Sequence, residues 1–140
     1  LITRRSDYAM RIFRALQDEK VHNVREICTK EDIPKAFAYK ILRELEQAGF
    51  VKSERGNQGG YLLNRDLNDL TMYDVISVTE GDLAILHCMK EECARNPETM
   101  PCKVHEEIER IQKILIEELK KKSIGDIMED KEGQENEEEK

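Results

Sequence analysis

Between Val24 and Asp66 two helix signals, a very short link and a glycine-rich hairpin follow one another, and few folds accommodate that order. The stretch "VREICTKE" reads as a short helix that Asn23 can cap. After a link at Asp32 and Ile33 comes "IPKAFAYKILRELEQAGF". Pro34 suits a first helical turn, where its missing N–H costs nothing. Phe37, Ile41, Leu42 and Leu45 form the expected apolar stripe, and Gly49 stands where a helix is closed by a residue without a side chain. Two helices so joined predict a helix-turn-helix. In "FVKSERGNQGGYLLNRD", Phe50, Val51 and Ser53 alternate with charged residues before "GNQGG" turns the chain into "YLL", a β-hairpin. Upstream, Ser6 is the expected N-cap of a helix whose inner face is Ala9, Ile12, Phe13 and Leu16.

Beyond the hairpin, Thr71 and Asp74 have capping-box spacing at the start of "MYDVISVTE". From about Lys103 to Lys122 no Gly or Pro interrupts a long helical pattern. Val104, Ile108, Ile111, Leu115 and Leu119 step along it by four, three, four and four, with Ile114 beside them. The stripe is either an ordinary core face or a seam for a partner. A helix of roughly 30 Å is long for so small a domain, which favours a homodimer built on it. The fold class expected is mainly α: a winged helix-turn-helix with a two-stranded wing and a long C-terminal dimerisation helix. Residues 1–66 would form the winged-helix unit, 67–128 the cysteine loop and dimerisation helix, and 129–140 a disordered acidic tail.

The 140 residues, 38% charged and 39% hydrophobic, suffice for one domain. No apolar run approaches the roughly 20 residues needed to span a bilayer, and "LITRRSDYAM" lacks an apolar signal core. A cytoplasmic protein without membrane contact is expected. The net charge of −7 is unevenly spread. Residues 1–65 carry 13 Lys/Arg against 9 Asp/Glu, residues 66–128 carry 8 against 14, and residues 129–140 carry 2 against 7. A nucleic-acid surface therefore belongs in the N-terminal half. In a helix-turn-helix the second helix faces base edges, which here selects Lys35, Ala36, Tyr39 and Lys40, with Arg43 one turn on. Lys suits guanine acceptors or phosphates, and Tyr bonds phosphate or packs on a thymine methyl. At the hairpin tip Arg55 can enter a minor groove or clamp a phosphate, and glycines including Gly59 allow close backbone approach. Taken singly, each of these is also an ordinary exposed residue of a small helical domain; the fold order makes them a set.

The segment "CMKEECARNPETMPCKVH" gathers three of the four cysteines as Cys88-x4-Cys93-x8-Cys102-x2-His105. A reducing compartment argues against disulfides there. Three thiolates with a nearby imidazole suit zinc or an iron–sulfur cluster and exclude calcium and magnesium. Zinc knuckles favour tighter pairs, so the loose spacing with Pro97 and Pro101 leans toward a larger cofactor, a 2Fe–2S or 4Fe–4S cluster, with zinc as the alternative. Cys28 stands apart and reads as a small buried hydrophobe. No Cys-x2-Cys pair opens a helix and there is no phosphate loop, so an enzyme is not expected.

Over residues 1–128 the chain resembles the Rrf-two family of bacterial winged-helix regulators (IscR-, NsrR- and CymR-like proteins). "SDYAMRIFRAL", "ILRELEQAGFVKS" and "RGNQGGYLLNRD" carry the likeness. The resemblance implies a homodimeric transcription factor on a palindromic DNA operator, its affinity set by an iron–sulfur cluster that senses redox state, nitric oxide, or iron and cluster supply. Position by position, it assigns Cys88, Cys93 and Cys102 to the cluster, Lys35, Ala36, Tyr39 and Lys40 to the groove-facing helix and Arg55 to the wing. For the fourth ligand it offers two solutions: Asp7 donated from the partner subunit, or His105. A cluster-free or zinc-stabilised regulator acting through a protein partner is the other expectation.

Overall fold

The structure, a computed structural model, describes residues 2–81, 83–85 and 102–129. Among the described residues six helices and one hairpin follow in chain order: α1 Arg4–Leu16, α2 Val24–Glu31, α3 Lys35–Gln47, β1 Val51–Glu54, β2 Gly60–Leu63, α4 Met72–Glu80, α5 Lys103–Lys121 and α6 Ile124–Met128. A single 3-10 turn, Leu67–Asp69, joins the hairpin to α4. No described helix is long and apolar enough to cross a membrane.

Helix α1 lies against α2, α3 and α4, because its inner face carries the side chains that all three need. Ile12, Phe13 and Leu16 are fully buried, as are Ile41, Leu42 and Leu45 of α3. Each such side chain contributes about 1.5–3 kcal/mol by leaving water. The core continues through Leu67, Leu70 and Val75 to Ile124 of α6.

Two local expectations are corrected. Ser6 does not cap α1; Thr3 does, its hydroxyl accepting from the Arg5 amide at 3.3 Å. Ser6 is instead buried within the first turn and bonded to Thr79 Oγ1 at 2.7 Å. A small hydroxyl residue serves either role, and spacing alone could not separate them. On α3 the inward residue of the first turn is Ala38, fully buried, whereas Phe37 is 43% exposed and leans on Tyr8 at 5.6 Å between ring centroids. The smaller residue lets α3 approach its neighbours closely.

The helix-turn-helix link works as its residues predict. Asn23 caps α2 by accepting from the Glu26 amide at 2.8 Å. Asp32 ends α2 in the left-handed region (φ 53°), and Cys28 O accepts from Ile33 N at 3.1 Å. Pro34 is the N-cap of α3, one position before the first turn. At the other end Gly49 adopts φ +81°, Gly49 N donates to Glu46 O and Phe50 N to Leu45 O, both at 2.9 Å. This pair of bonds satisfies the last carbonyls of α3 and feeds the chain straight into β1.

The wing is antiparallel, with Val51 opposite Leu63 and Glu54 opposite Gly60. It has a third member that the sequence did not announce: His22 bridges to Tyr61, N–H to O at 2.9 Å one way and 2.8 Å the other. The bridge ties the α1–α2 connection to β2. The Thr71–Asp74 capping box of α4 is present as expected. Helix α5 matches its expected span within a residue, and none of its 19 residues is buried within the chain. Helix α6 was not anticipated. Its capping box, Ser123 with Asp126, was readable, and Ile124 N bonds Leu70 O at 2.6 Å to return the chain to the core.

Candidate nucleic-acid interface and cysteine centre

Lys35, Ala36, Tyr39, Lys40 and Arg43 all lie on the exposed side of α3. Four of them, Ala36, Tyr39, Lys40 and Arg43, line one shallow trough together with Glu44 and Gln47. The order of elements explains why these residues are outward. Ala38, Ile41, Leu42 and Leu45 are consumed by the core, so the remaining arc of the helix is left to solvent. Arg55 is exposed at the hairpin tip. Gly59 donates to Gly56 O at 3.0 Å, and a side chain there would strike the Glu54 carbonyl. Its close approach thus serves the turn itself.

Tyr61 connects wing and helix. Burial pushes its phenol above the usual range; Glu46 and Tyr39 add to the effect and Arg43 opposes it. These influences come from α3, so the Tyr61 phenol lies within electrostatic reach of the helix that bears the trough. His22 supports the junction from below, with Nε2 2.8 Å from Asp18 Oδ2 and Nδ1 3.1 Å from Glu26 Oε2. Neither residue was singled out from the sequence. Their signal is tertiary: a hydrogen-bonded bridge between residues far apart in the chain.

At the entrance to α5, Cys102 is the N-cap residue, half-buried, its carbonyl accepting from Glu106 N at 3.1 Å. His105 follows at i+3, so both side chains share one face of the first turn. His105 Nδ1 is buried and has no hydrogen-bond partner among the described residues. A buried ring nitrogen without a partner is costly unless something else satisfies it. Cys88 and Cys93 lie outside the described residues. Asp7 sits on α1, half exposed, paired with Arg11 at 2.9 Å. Among the described residues no three His, Cys, Asp or Glu side chains converge to hold a metal ion. Within one chain, therefore, Asp7 is not brought together with Cys102 and His105. The soft and borderline donors at 102 and 105 fit an iron–sulfur cluster or zinc in chemistry. Cys28 fits neither: it packs against the core, and burial pushes its thiol up, with Lys35 opposing.

The chain is similar to Protein aau3 of Rhizobium meliloti, 29% identical over 129 residues covering 91% of this chain and 84% of that one. It is 30% identical to the HTH-type transcriptional regulator NsrR of Bacillus subtilis over 102 residues, 69% of this chain and 70% of the relative. Among solved structures, CymR, the global cysteine regulator of B. subtilis, superposes with a TM-score of 0.74 at 24% identity, covering 91% of this chain and 95% of that one. The winged-helix fold is thus shared with transcriptional regulators. Residues 2–130 match the family model Rrf2, described as an iron-dependent transcriptional regulator, and the chain accordingly belongs to the Rrf2 family of DNA-binding transcriptional regulators.

Proposed function

We propose that this protein is a cytoplasmic homodimer that binds a palindromic operator and whose DNA affinity is set by an iron–sulfur cluster. The observation that carries the cluster reading is the buried, unpartnered Nδ1 of His105 one helical turn from Cys102. Cys88, Cys93 and Cys102 would hold the cluster, with His105 or the partner subunit's Asp7 as the remaining ligand. When bound, the cluster supplies a centre that reacts with oxygen or nitric oxide and responds to iron supply. The chain's own part is positional. Cys102 opens α5, so the ligand segment is joined directly to the helix whose exposed stripe would pair with a second copy. Lys35, Tyr39, Lys40, Arg43 and Arg55 would meet DNA, with Ala36 permitting close approach and Gly59 shaping the turn that carries Arg55. In a dimer the distance between the two α3 helices selects the half-site spacing.

Anaerobic purification followed by visible spectroscopy and metal analysis tests this reading. A coloured, iron-containing protein that loses its absorption on Cys93→Ala is expected. A colourless protein with stoichiometric zinc refutes the cluster and favours the zinc-stabilised regulator.

A further inference from the structure

One carboxylate stands in a surface that otherwise suits phosphate. Glu44 lines the α3 trough beside Tyr39, Lys40 and Arg43. A free glutamate there would offset one of the two cationic charges and repel a DNA backbone. Glu44 is not free. Arg5, in the first turn of α1, forms an ion pair with its Oε1, and the two side chains are 33% and 26% exposed. Glu44's other oxygen, Oε2, is buried and has no hydrogen-bond partner among the described residues. The turn that carries Arg5 is itself held on both sides. Thr3 N donates to Glu80 Oε1 at 3.3 Å, Ser6 Oγ at 3.0 Å, and the Thr3 hydroxyl also bonds it. Burial acts to raise the Glu80 carboxyl, yet the Thr3 and Ser6 bonds hold it below the usual range. Glu80 is the last residue of α4, so Arg5 meets α3 from a turn fixed to a third helix.

We propose that Arg5 is a positioning residue for the DNA-facing trough, holding Glu44 against α1 and compensating its charge beside Lys40 and Arg43. Phosphate then meets the two cations of the trough without the opposing carboxylate. Arg5 does this through Glu44 and without touching DNA itself. Its loss leaves Glu44 uncompensated and free to turn into the trough, where it opposes DNA. The assignment rests on the reading that α3 meets DNA, and not on the identity of any cofactor.

The test uses the full chain and a fluorescent DNA duplex of arbitrary sequence, which reads the phosphate contribution. Arg5→Met weakens binding by about two- to fivefold, the range for a part-exposed ion pair, and the loss shrinks as salt rises. Arg5→Lys keeps near-native affinity. Glu44→Gln alone changes affinity by less than about twofold, because its charge is already compensated, yet it restores Arg5→Met to near-native binding. Simple charge counting gives Glu44→Gln the same gain in both backgrounds instead. A direct Arg5 contact with phosphate, or a purely structural role, leaves the Arg5→Met defect in place after Glu44→Gln is added. Either result overturns the proposal. Arg5→Gln, which keeps a donor for the carboxylate without the charge, replaces Arg5→Met if that chain does not fold. Amide NMR shifts of Tyr39, Lys40 and Arg43 in the free protein supply a second readout. They move on loss of Arg5 and return in the double variant, and unmoved shifts count against the positioning role. Lys40→Ala separates the two readings. Native affinity there overturns the DNA-facing role of the trough, whereas a loss there without Arg5–Glu44 coupling overturns the positioning role alone.

Discussion

Replacing Gly60 with alanine isolates the contribution of the His22–Tyr61 bridge to the wing. A Cβ at position 60 would lie 2.2 Å from His22 O, 2.5 Å from His22 C and 2.7 Å from Asn23 N. All three are backbone atoms, so no flexible side chain can swing aside. Relief requires β2 to move away from His22 by about 1 Å, which carries the two bridging bonds of 2.9 and 2.8 Å beyond hydrogen-bond range. Two backbone bonds at about 1 kcal/mol each set the loss near 2 kcal/mol. The stiffer unfolded chain of an alanine variant offsets roughly 0.5 kcal/mol of that. At about 4 °C per kcal/mol for a chain of this size, the melting temperature should fall by roughly 6 °C. Gly49→Ala is the control. Nothing lies within 4 Å of a Cβ there, but φ is +81°, so the cost is backbone strain of about 1 kcal/mol with the wing bridge intact. Thermal unfolding by circular dichroism, at one protein concentration, and DNA affinity should be measured for both. Gly60→Ala is expected to lose stability and DNA affinity together, and Gly49→Ala stability with little change in affinity. A Gly60→Ala protein within 0.5 °C of the native melting temperature, with native affinity, would refute the reasoning.

Helix α5 offers a second perturbation. Ile111 and Ile114 are 41% and 48% exposed within the chain, so changing both to glutamate should leave the winged-helix core folded while sedimentation velocity shows dissociation to monomer. Unchanged sedimentation would place the dimer contact elsewhere. The depressed Glu80 carboxyl gives a pH dependence with a definite sign. A folded-state value below the unfolded one contributes stability that is present above the ordinary carboxylate range and is lost as pH falls through the folded value. Acid unfolding of Glu80→Gln should accordingly show a shallower loss between neutral and acid pH than the native protein, and parallel curves would count against the hydrogen bonds assigned to Thr3 and Ser6.

Elements governed by local chemistry were legible in the sequence, and those governed by distant contacts were not. Asn23, Gly49 and the Thr71–Asp74 pair act within a single turn, so their residue types announced the start of α2, the end of α3 and the start of α4. Phe37 misled because periodicity ranks apolar residues by type, whereas the packing distance between α3 and its neighbours selected the small Ala38. Ser6 misled because a hydroxyl that can cap a helix can also be buried against another hydroxyl, here Thr79. His22, Tyr61, Arg5 and Glu44 escaped notice because each acquires its role from a residue at least 39 positions away. The exposed trough residues were legible for a simple reason: once the core stripe of α3 is known, the opposite arc is known too.

The same logic bears on α5, where Ile108, Leu115, Ile116 and Leu119 are only half-buried within the chain. Nineteen residues make a helix of about 28 Å, and most of a helix's stability in a protein comes from packing of its apolar face rather than from backbone propensity. Its stabilisation must come from contacts on its apolar face, and Val104, Ile111 and Ile114 remain open to solvent in the single chain. The ends are held differently. At the C-terminus, Ser123 and Ile124 return the chain to Thr71 and Leu70, and Lys120 lies 4.5 Å above the Tyr73 ring. At the N-terminus stand Cys102 and the unpartnered His105 Nδ1. In the proposed dimer, an anchored C-terminal end and a ligand-bearing N-terminal end would make α5 a lever on which a bound centre acts. Movement there would reach the reading helices through the partner seam. Substituting Ile111 and Ile114 tests that route, because both residues lie on the exposed face of α5.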